Sequence, residues 1–303
     1  QLINAMAASD APVTIACTQF ENLFAALAEE NERPEPKTLN IREKAGWSDE
    51  GKKAAPKMAA LVKLARQEPQ PVQLLSMVSY GRCLIYGGGE AAITLAKKLT
   101  DDLGVTVMLT PDDADVMVDS FPFTVTTGLI KSAAGSFTRF NLTIDHFGEA
   151  LPHSRSELEF GPLANGVESS CDMLIDLTGG TPLFTGWEKR DGYFRCDAND
   201  INRLAEVEMT ARGMIGEFEK PIYVNFDENL CAHSRNSLPG CSRCLDVCPA
   251  GAITSAGDTV AIESGICGGC GYCGAVCPSG AAQTSLLPID ETARQVNLLA
   301  RAY

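Results

Sequence analysis

No apolar run in this chain approaches the roughly 18 to 20 residues needed to cross a bilayer. The longest, such as Pro12 to Cys17 and Val105 to Leu109, are far shorter, so no membrane span is expected. Histidine is scarce: His146, His153 and His233 are the only three, and they lie too far apart for a metal triad. No Ser/His/Asp arrangement can be drawn either. Positive charge is also short, with 25 Lys and Arg against 39 Asp and Glu and a formal net charge of −14. Nucleic-acid binding draws its affinity from clustered Lys and Arg, so that class is excluded and protein partners with basic docking patches are expected. The start, Gln1-Leu2-Ile3-Asn4, lacks an initiator Met and a charged segment followed by an apolar one. It reads as a processed or trimmed chain and gives no ground for a secretion signal.

Cysteine is thin over most of the 303 residues and dense in one place. Cys17, Cys83, Cys171 and Cys196 occur singly, whereas eight of the twelve fall between positions 231 and 277. That distribution excludes a disulfide framework and points to inorganic ligation in a reducing, cytoplasmic compartment. Cys17, Cys83 and Cys171 sit in apolar or strand contexts and read as small buried hydrophobes; Cys196 has a less apolar setting.

Hydrophobic periodicity places an α/β pattern before the cysteine block. Pro12 to Cys17 reads as a buried strand, followed by a helix through Phe20, Phe24 and Leu27 that ends at Pro34-Glu35-Pro36. Thr38 to Arg42 suggests a second strand, then Ser48 an N-cap and Met58, Leu61, Val62 and Leu64 a helix. Arg82 to Tyr86, a helix to Leu103 and the strand Val105 to Leu109 outline a βαβ unit. Short β-rich runs follow at 121–126, 137–144, 158–160 and 173–177, then a helix over Ile201 to Glu217, a strand over Ile222 to Phe226 and a terminal helix from Thr292 to Ala302. The expected fold is α/β (α+β): a degenerate Rossmann-like N-terminal region, a strand-rich segment and a C-terminal dicluster ferredoxin domain of the bacterial type. The expected divisions are 1–75, 76–225, 226–285 and a helical tail at 286–303.

Cys267, Cys270, Cys273 and Cys277-Pro278 spell C-x₂-C-x₂-C-x₃-C-P, the spacing of bacterial clusters in which the fourth cysteine ligates the other cluster. Adding 29 to 241, 244 and 248 gives 270, 273 and 277, and Cys-Pro-Ala-Gly-Ala answers Cys-Pro-Ser-Gly-Ala, so the block is an internal repeat. The counterpart of Cys267 falls at Leu238; Cys231, seven positions earlier, is the candidate, which implies a seven-residue insertion. By crossing, one [4Fe-4S] cluster takes Cys231, Cys241, Cys244 and Cys277, and the other takes Cys248, Cys267, Cys270 and Cys273. Cys₄ zinc sites also use C-x₂-C pairs, but three cysteines per half with Cys-Pro fit zinc poorly. A further reading leaves Cys231 a buried cysteine beside a three-iron cluster. Arg243 and Asp246 put charge near the first loop, whereas the second is mostly Gly, Ala and Val, so unequal potentials are expected with the sign open.

Gly87-x-Gly89-x-x-Ala92, after an apolar strand and before a helix, has the context of a dinucleotide-binding turn. The acidic residue expected after the next strand is missing, with Asp112 only a late candidate, and Glu90 sets a negative charge where phosphates would lie. FAD on this turn is doubtful, and Asp112 with Asp113 read as a solvated turn. His233 reads as a solvated loop residue within the insertion.

Three segments together resemble the iron-sulfur subunit of heterodisulfide reductase and its relatives associated with formate dehydrogenases: Val13 to Cys17 with Phe24, Asn40 to Trp47, and the dicluster block. The resemblance implies an additional N-terminal cluster held through Cys17 and a cysteine at position 45; Ala45 cannot ligate, so that cluster is expected to be absent. It implies flavin at Gly87 and Gly89, and a place within a dehydrogenase or reductase complex. The end at Tyr303 reads as that of a fragment of something longer. The leading expectation is an electron carrier relaying single electrons through two clusters between redox partner proteins, without a catalytic residue. The alternatives are an FAD-containing oxidoreductase subunit whose clusters drain the flavin, and a scaffold or sensor whose clusters are structural.

Overall fold

The N-terminal residues form short elements: α1 (Leu2–Ala7), β1 (Thr14–Ile15), α2 (Glu21–Glu30), β2 (Lys37–Thr38) and α3 (Ala55–Ala65). The structure is a computed structural model and describes all residues except 1, 9–12, 48, 69–70, 114, 118–119, 153–157, 185–189, 234–239, 287 and 303. Pro12, Ser48, His153 and Leu238 therefore lie outside the described residues. β1 and β2 pair in parallel. The strand expected from Thr38 to Arg42 ends at Thr38, and Arg42–Gly46 forms a single π-helical turn that buries Ala45. The cause is local: the Asn40 carbonyl oxygen accepts the Glu43 N–H at 3.0 Å, and its amide donates to the Glu43 carboxylate at 2.8 Å. An Asn side chain that satisfies a free N–H in this way starts a helical turn.

The chain divides into two units, 73–285 and a second made of 1–72 with 286–303. The larger is built on β3 (Leu74–Ser79), β4 (Arg82–Tyr86), α4 (Gly89–Leu99), β5 (Gly104–Leu109), β6 (Thr124–Ala134), β7 (Phe140–Glu149), β8 (Val167–Cys171), β9 (Met173–Asp176), β10 (Tyr193–Arg195), α5 (Ile201–Arg212) and β11 (Gly216–Pro221). Seven of these strands form one sheet in the order β10-β9-β4-β5-β6-β7-β8. The first five run parallel, and β7 and β8 return antiparallel. β4 lies inside because its residues are apolar on both faces: Cys83 and Ile85 enter one core cluster, Leu84 and Tyr86 the other. α4 covers the first face with Ala92, Ile93, Leu95, Ala96 and Leu99, a stripe at helical spacing. Mixed helices and sheets were thus legible in the chain, and the Rossmann-like crossover β4-α4-β5 is one element of a larger sheet.

Two buried carboxylates pin this sheet. Asp172 is fully buried and accepts from the Tyr80 and Arg82 N–H groups at 2.9 and 3.1 Å and from the Arg82 guanidinium at 2.7 and 3.2 Å. Asp176, equally buried, accepts from the Tyr193 hydroxyl at 2.7 Å and from Thr178 Oγ1 at 2.7 Å. Burial pushes the Cys171 thiol up to about 12 and the Cys83 thiol higher still, so both are protonated packing groups at neutral pH. The helix expected to run to Glu217 stops at Arg212; Gly213 follows it, and Glu217 belongs to β11, which pairs with β3.

The cysteine block adds β12 (Val224–Phe226), α6 (Arg243–Val247), β13 (Ile253–Ala256), β14 (Thr259–Ile262), α7 (Tyr272–Val276) and β15 (Ala282–Thr284). The terminal helix α8 (Ile289–Ala302) belongs to the smaller unit, where it packs on α3. Among the described residues no helix is long and apolar enough to cross a membrane.

Candidate metal centre

The internal repeat is a repeat of structure. Adding 29 to 243–247 gives 272–276, so α6 and α7 occupy matching positions, each followed by Cys-Pro and then by a strand, β13 or β15. Each of those strands pairs antiparallel with one on the approach to the other half or to the block: β13 with β14, β15 with β12. The Cys-Pro step ends each helix because proline disfavours helical backbone in the residue before it.

Crossing is visible in the cavity between the halves. Cys248 of the first half and Cys267, Cys270 and Cys273 of the second line one cavity, with Val224, Ala252, Ile253 and Ile262 as apolar walls. Backbone N–H groups address these thiols: Ala252 N donates to Cys248 Sγ at 3.3 Å. Burial pushes Cys267 and Cys273 up, while N–H donors from Gly269 and Gly274 act in the opposite sense. Gly269 is required where it stands, since its φ is +78° and a Cβ would lie 2.8 Å from the Tyr223 ring. Four thiols around one apolar-walled space, with N–H groups directed at sulfur, are the donor set of an iron-sulfur cluster.

The first half holds the other thiols. Cys231 is buried in a small core that Cys244 and Cys277 also line. Burial pushes Cys244 up, and the neighbouring Cys231 and Cys241 add to the rise, which places these three sulfurs together. At Cys277 burial acts upward, but hydrogen bonds from the Ala282, Ser279 and Ala281 N–H groups and the Ser279 hydroxyl outweigh it and hold the thiol below its ordinary value.

Cys231 reaches Cys241 because the ends of the insertion are joined. Cys241 N donates to Ala232 O at 3.0 Å and Gly240 N to His233 O at 2.6 Å. His233 is the residue whose role the sequence does not disclose. Its Nδ1 lies 2.8 Å from Cys241 O and its Nε2 2.8 Å from Ser255 Oγ on β13. A carbonyl only accepts, so Nδ1 carries the proton and, in the neutral ring, Nε2 accepts from Ser255. The spacing of His233, two residues after Cys231, was the available signal, but only the fold brings β13 to it.

The glycine turn has a different occupant. Gly88, with φ +85°, precedes α4, and its N–H donates to Asp113 Oδ2 at 3.1 Å, which also accepts from Thr110 Oγ1 at 3.0 Å. Asp113 is therefore a helix-capping carboxylate and not the solvated turn residue expected. Glu90 accepts the Met117 N–H at 2.6 Å. Gly87 and Gly88 face Thr178 and Leu177 so closely that a Cβ on either glycine would lie 2.7 Å from them; Ala92 is buried in the core. Gly89 is open enough that a Cβ would meet its first neighbour only at 3.5 Å. In the smaller unit Cys17 is half-buried and Ala45, which offers no donor atom, is buried.

Residues 239–281 match the family described as 4Fe-4S dicluster domain. The matched stretch contains seven of the eight clustered cysteines and begins after Cys231. No curated protein matches the sequence. The C-terminal part of this chain therefore carries an iron-sulfur dicluster domain, with the electron-transfer role that such a domain supports.

Proposed function

We propose that the chain relays single electrons between redox partner proteins through two [4Fe-4S] clusters, one on Cys231, Cys241, Cys244 and Cys277 and one on Cys248, Cys267, Cys270 and Cys273. The observation that carries this is the single cavity lined by Cys248 together with the three thiols of the opposite half. A bound cluster supplies one-electron chemistry at sulfur-ligated iron. The protein's part is to hold the thiols in fixed loops, to exclude water with Val224, Ile253 and Ile262, and to donate N–H hydrogen bonds to sulfur. No side chain needs to act as acid, base or nucleophile. On the resemblance to heterodisulfide reductase and formate-dehydrogenase-associated proteins, the partners belong to a dehydrogenase or reductase complex in the cytoplasm.

The glycine turn at the end of β4 favours a second reading, a flavin-containing oxidoreductase subunit, since ligands of open α/β sheets bind beyond the strand ends. The Asp113 carboxylate on Gly88 N–H weighs against it. Iron, acid-labile sulfide, zinc and flavin per chain after anaerobic purification test both readings. About eight irons and eight sulfides without flavin support the carrier, and one flavin in addition supports the second reading. About seven irons remove Cys231 from the ligand set, and zinc without sulfide overturns the proposal.

A further inference from the structure

The two quartets differ in the charge that the sheet body places beside them. Lys220, on β11, has a side chain only 13 % exposed, and its Nζ donates to Gly265 O at 2.8 Å, two residues before Cys267. Arg190, half-buried before β10, donates Nη2 to Ala250 O at 3.3 Å, two residues after Cys248, and its guanidinium lies 4.2 Å from the Phe184 ring centroid. These carbonyls belong to the two segments, one from each half, that meet around the cavity of Cys248, Cys267, Cys270 and Cys273. The anions nearby are solvated: Asp191, 3.3 Å from Lys220 Nζ, is 61 % exposed, and Glu263, which accepts the Gly265 N–H, is exposed. Around the first quartet the charged neighbours Asp227, Glu228, Arg243 and Asp246 are all exposed. Water screens such groups far more than it screens a largely covered ammonium.

We infer that Lys220, with Arg190 beside it, is a positioning residue that raises the reduction potential of the Cys248/Cys267/Cys270/Cys273 centre and leaves the other centre untouched. This rests on the two-cluster reading. Reduction adds one negative charge to a centre, and a fixed cation in a poorly hydrated place stabilises that charge. The Lys220 charge acts on the nearest thiol in the same sense, favouring the thiolate of Cys267 against the burial that pushes it up. Hydrogen bonding does not explain the same preference: the donors to Cys277 alone, three N–H groups and a hydroxyl, favour the first centre.

The test is a potentiometric titration of the full chain, purified anaerobically, with each centre followed by electron paramagnetic resonance. Lys220→Gln is expected to keep about eight irons and to lower the electron share of one centre about tenfold relative to the other, about 59 mV for a one-electron couple. Lys220→Arg is expected to restore it. Asp191→Asn, at an exposed site, removes the partner anion and is expected to shift the same centre in the opposite direction, by less. Eight irons with unchanged potentials in Lys220→Gln overturns the inference. Should Lys220→Gln lose iron, Asp191→Asn decides: an upward shift of one centre upholds the inference and no shift overturns it. A wild-type chain without about eight irons instead overturns the two-cluster reading itself, so the two failures are told apart.

Discussion

The cysteine block and the glycine turn at 87–89 are built from the same local parts and end in opposite states. Each is a tight loop with glycines at positive φ leading into a helix, and each directs backbone N–H groups toward a place where negative charge can sit. In the cysteine block that place is a cavity rimmed by four thiols. At the glycine turn it holds the chain's own Asp113 carboxylate, with Thr178 and Leu177 against the glycines. A loop of N–H donors is therefore only half of a binding site. What faces the donors decides whether a ligand is held or the protein satisfies itself, since a buried N–H without a partner is costly.

Four substitutions would break or sharpen that contrast. The largest effect is expected from removing thiols in pairs. Cys248→Ala with Cys267→Ala should cost about four irons, no more than either alone, whereas Cys248→Ala with Cys244→Ala should cost about eight, because crossing puts the first pair in one centre and the second pair in two. Iron and sulfide analysis reads the result; equal losses from both pairs would remove the crossed assignment. Next comes Gly269→Ala, which forces a side chain onto a positive-φ residue against the Tyr223 ring. It should destabilise its half of the block by about 1 to 3 kcal/mol and speed iron release on exposure to a chelator.

His233→Ala removes both hydrogen bonds that tie the insertion to Cys241 and β13. A loss of about 1 to 2 kcal/mol is expected, read as faster chelator-driven loss from the Cys231 centre with the other centre unaffected. The smallest effect is expected from Asp113→Ala, which frees the Gly88 N–H. About 1 kcal/mol of stability should be lost in thermal unfolding with iron content unchanged. Adenine nucleotide binding gained by that variant would show that the carboxylate alone closes the turn.

Much of the site was legible because thiol spacing is a local constraint. Two-residue gaps followed by Cys-Pro limit the loop to few conformations, so Cys241, Cys244, Cys248, Cys267, Cys270, Cys273 and Cys277 could be grouped from their numbers alone. Likewise the apolar run Cys83 to Tyr86 and the stripe on α4 declare a strand and a helix by periodicity. The π-helical turn at Arg42–Gly46, β3, and the change from helix to strand between Arg212 and Gly216 were not legible in the same way. Each depends on a side-chain hydrogen bond or a distant pairing partner, such as Asn40 on Glu43 or β11 on β3.

By itself the sequence determined the repeat, the ligand chemistry and the mixed α/β character, since these follow from spacing and composition along a continuous stretch. Only the tertiary structure decided that Asp113 occupies the helix start, that His233 joins Cys241 to β13, and that Lys220 and Arg190 sit beside one quartet and not the other. Asp113 lies 25 positions from Gly88, Lys220 lies 45 from Gly265 and Arg190 lies 60 from Ala250. Charges act through space, and no local pattern records which loop a strand end will meet when the sheet closes.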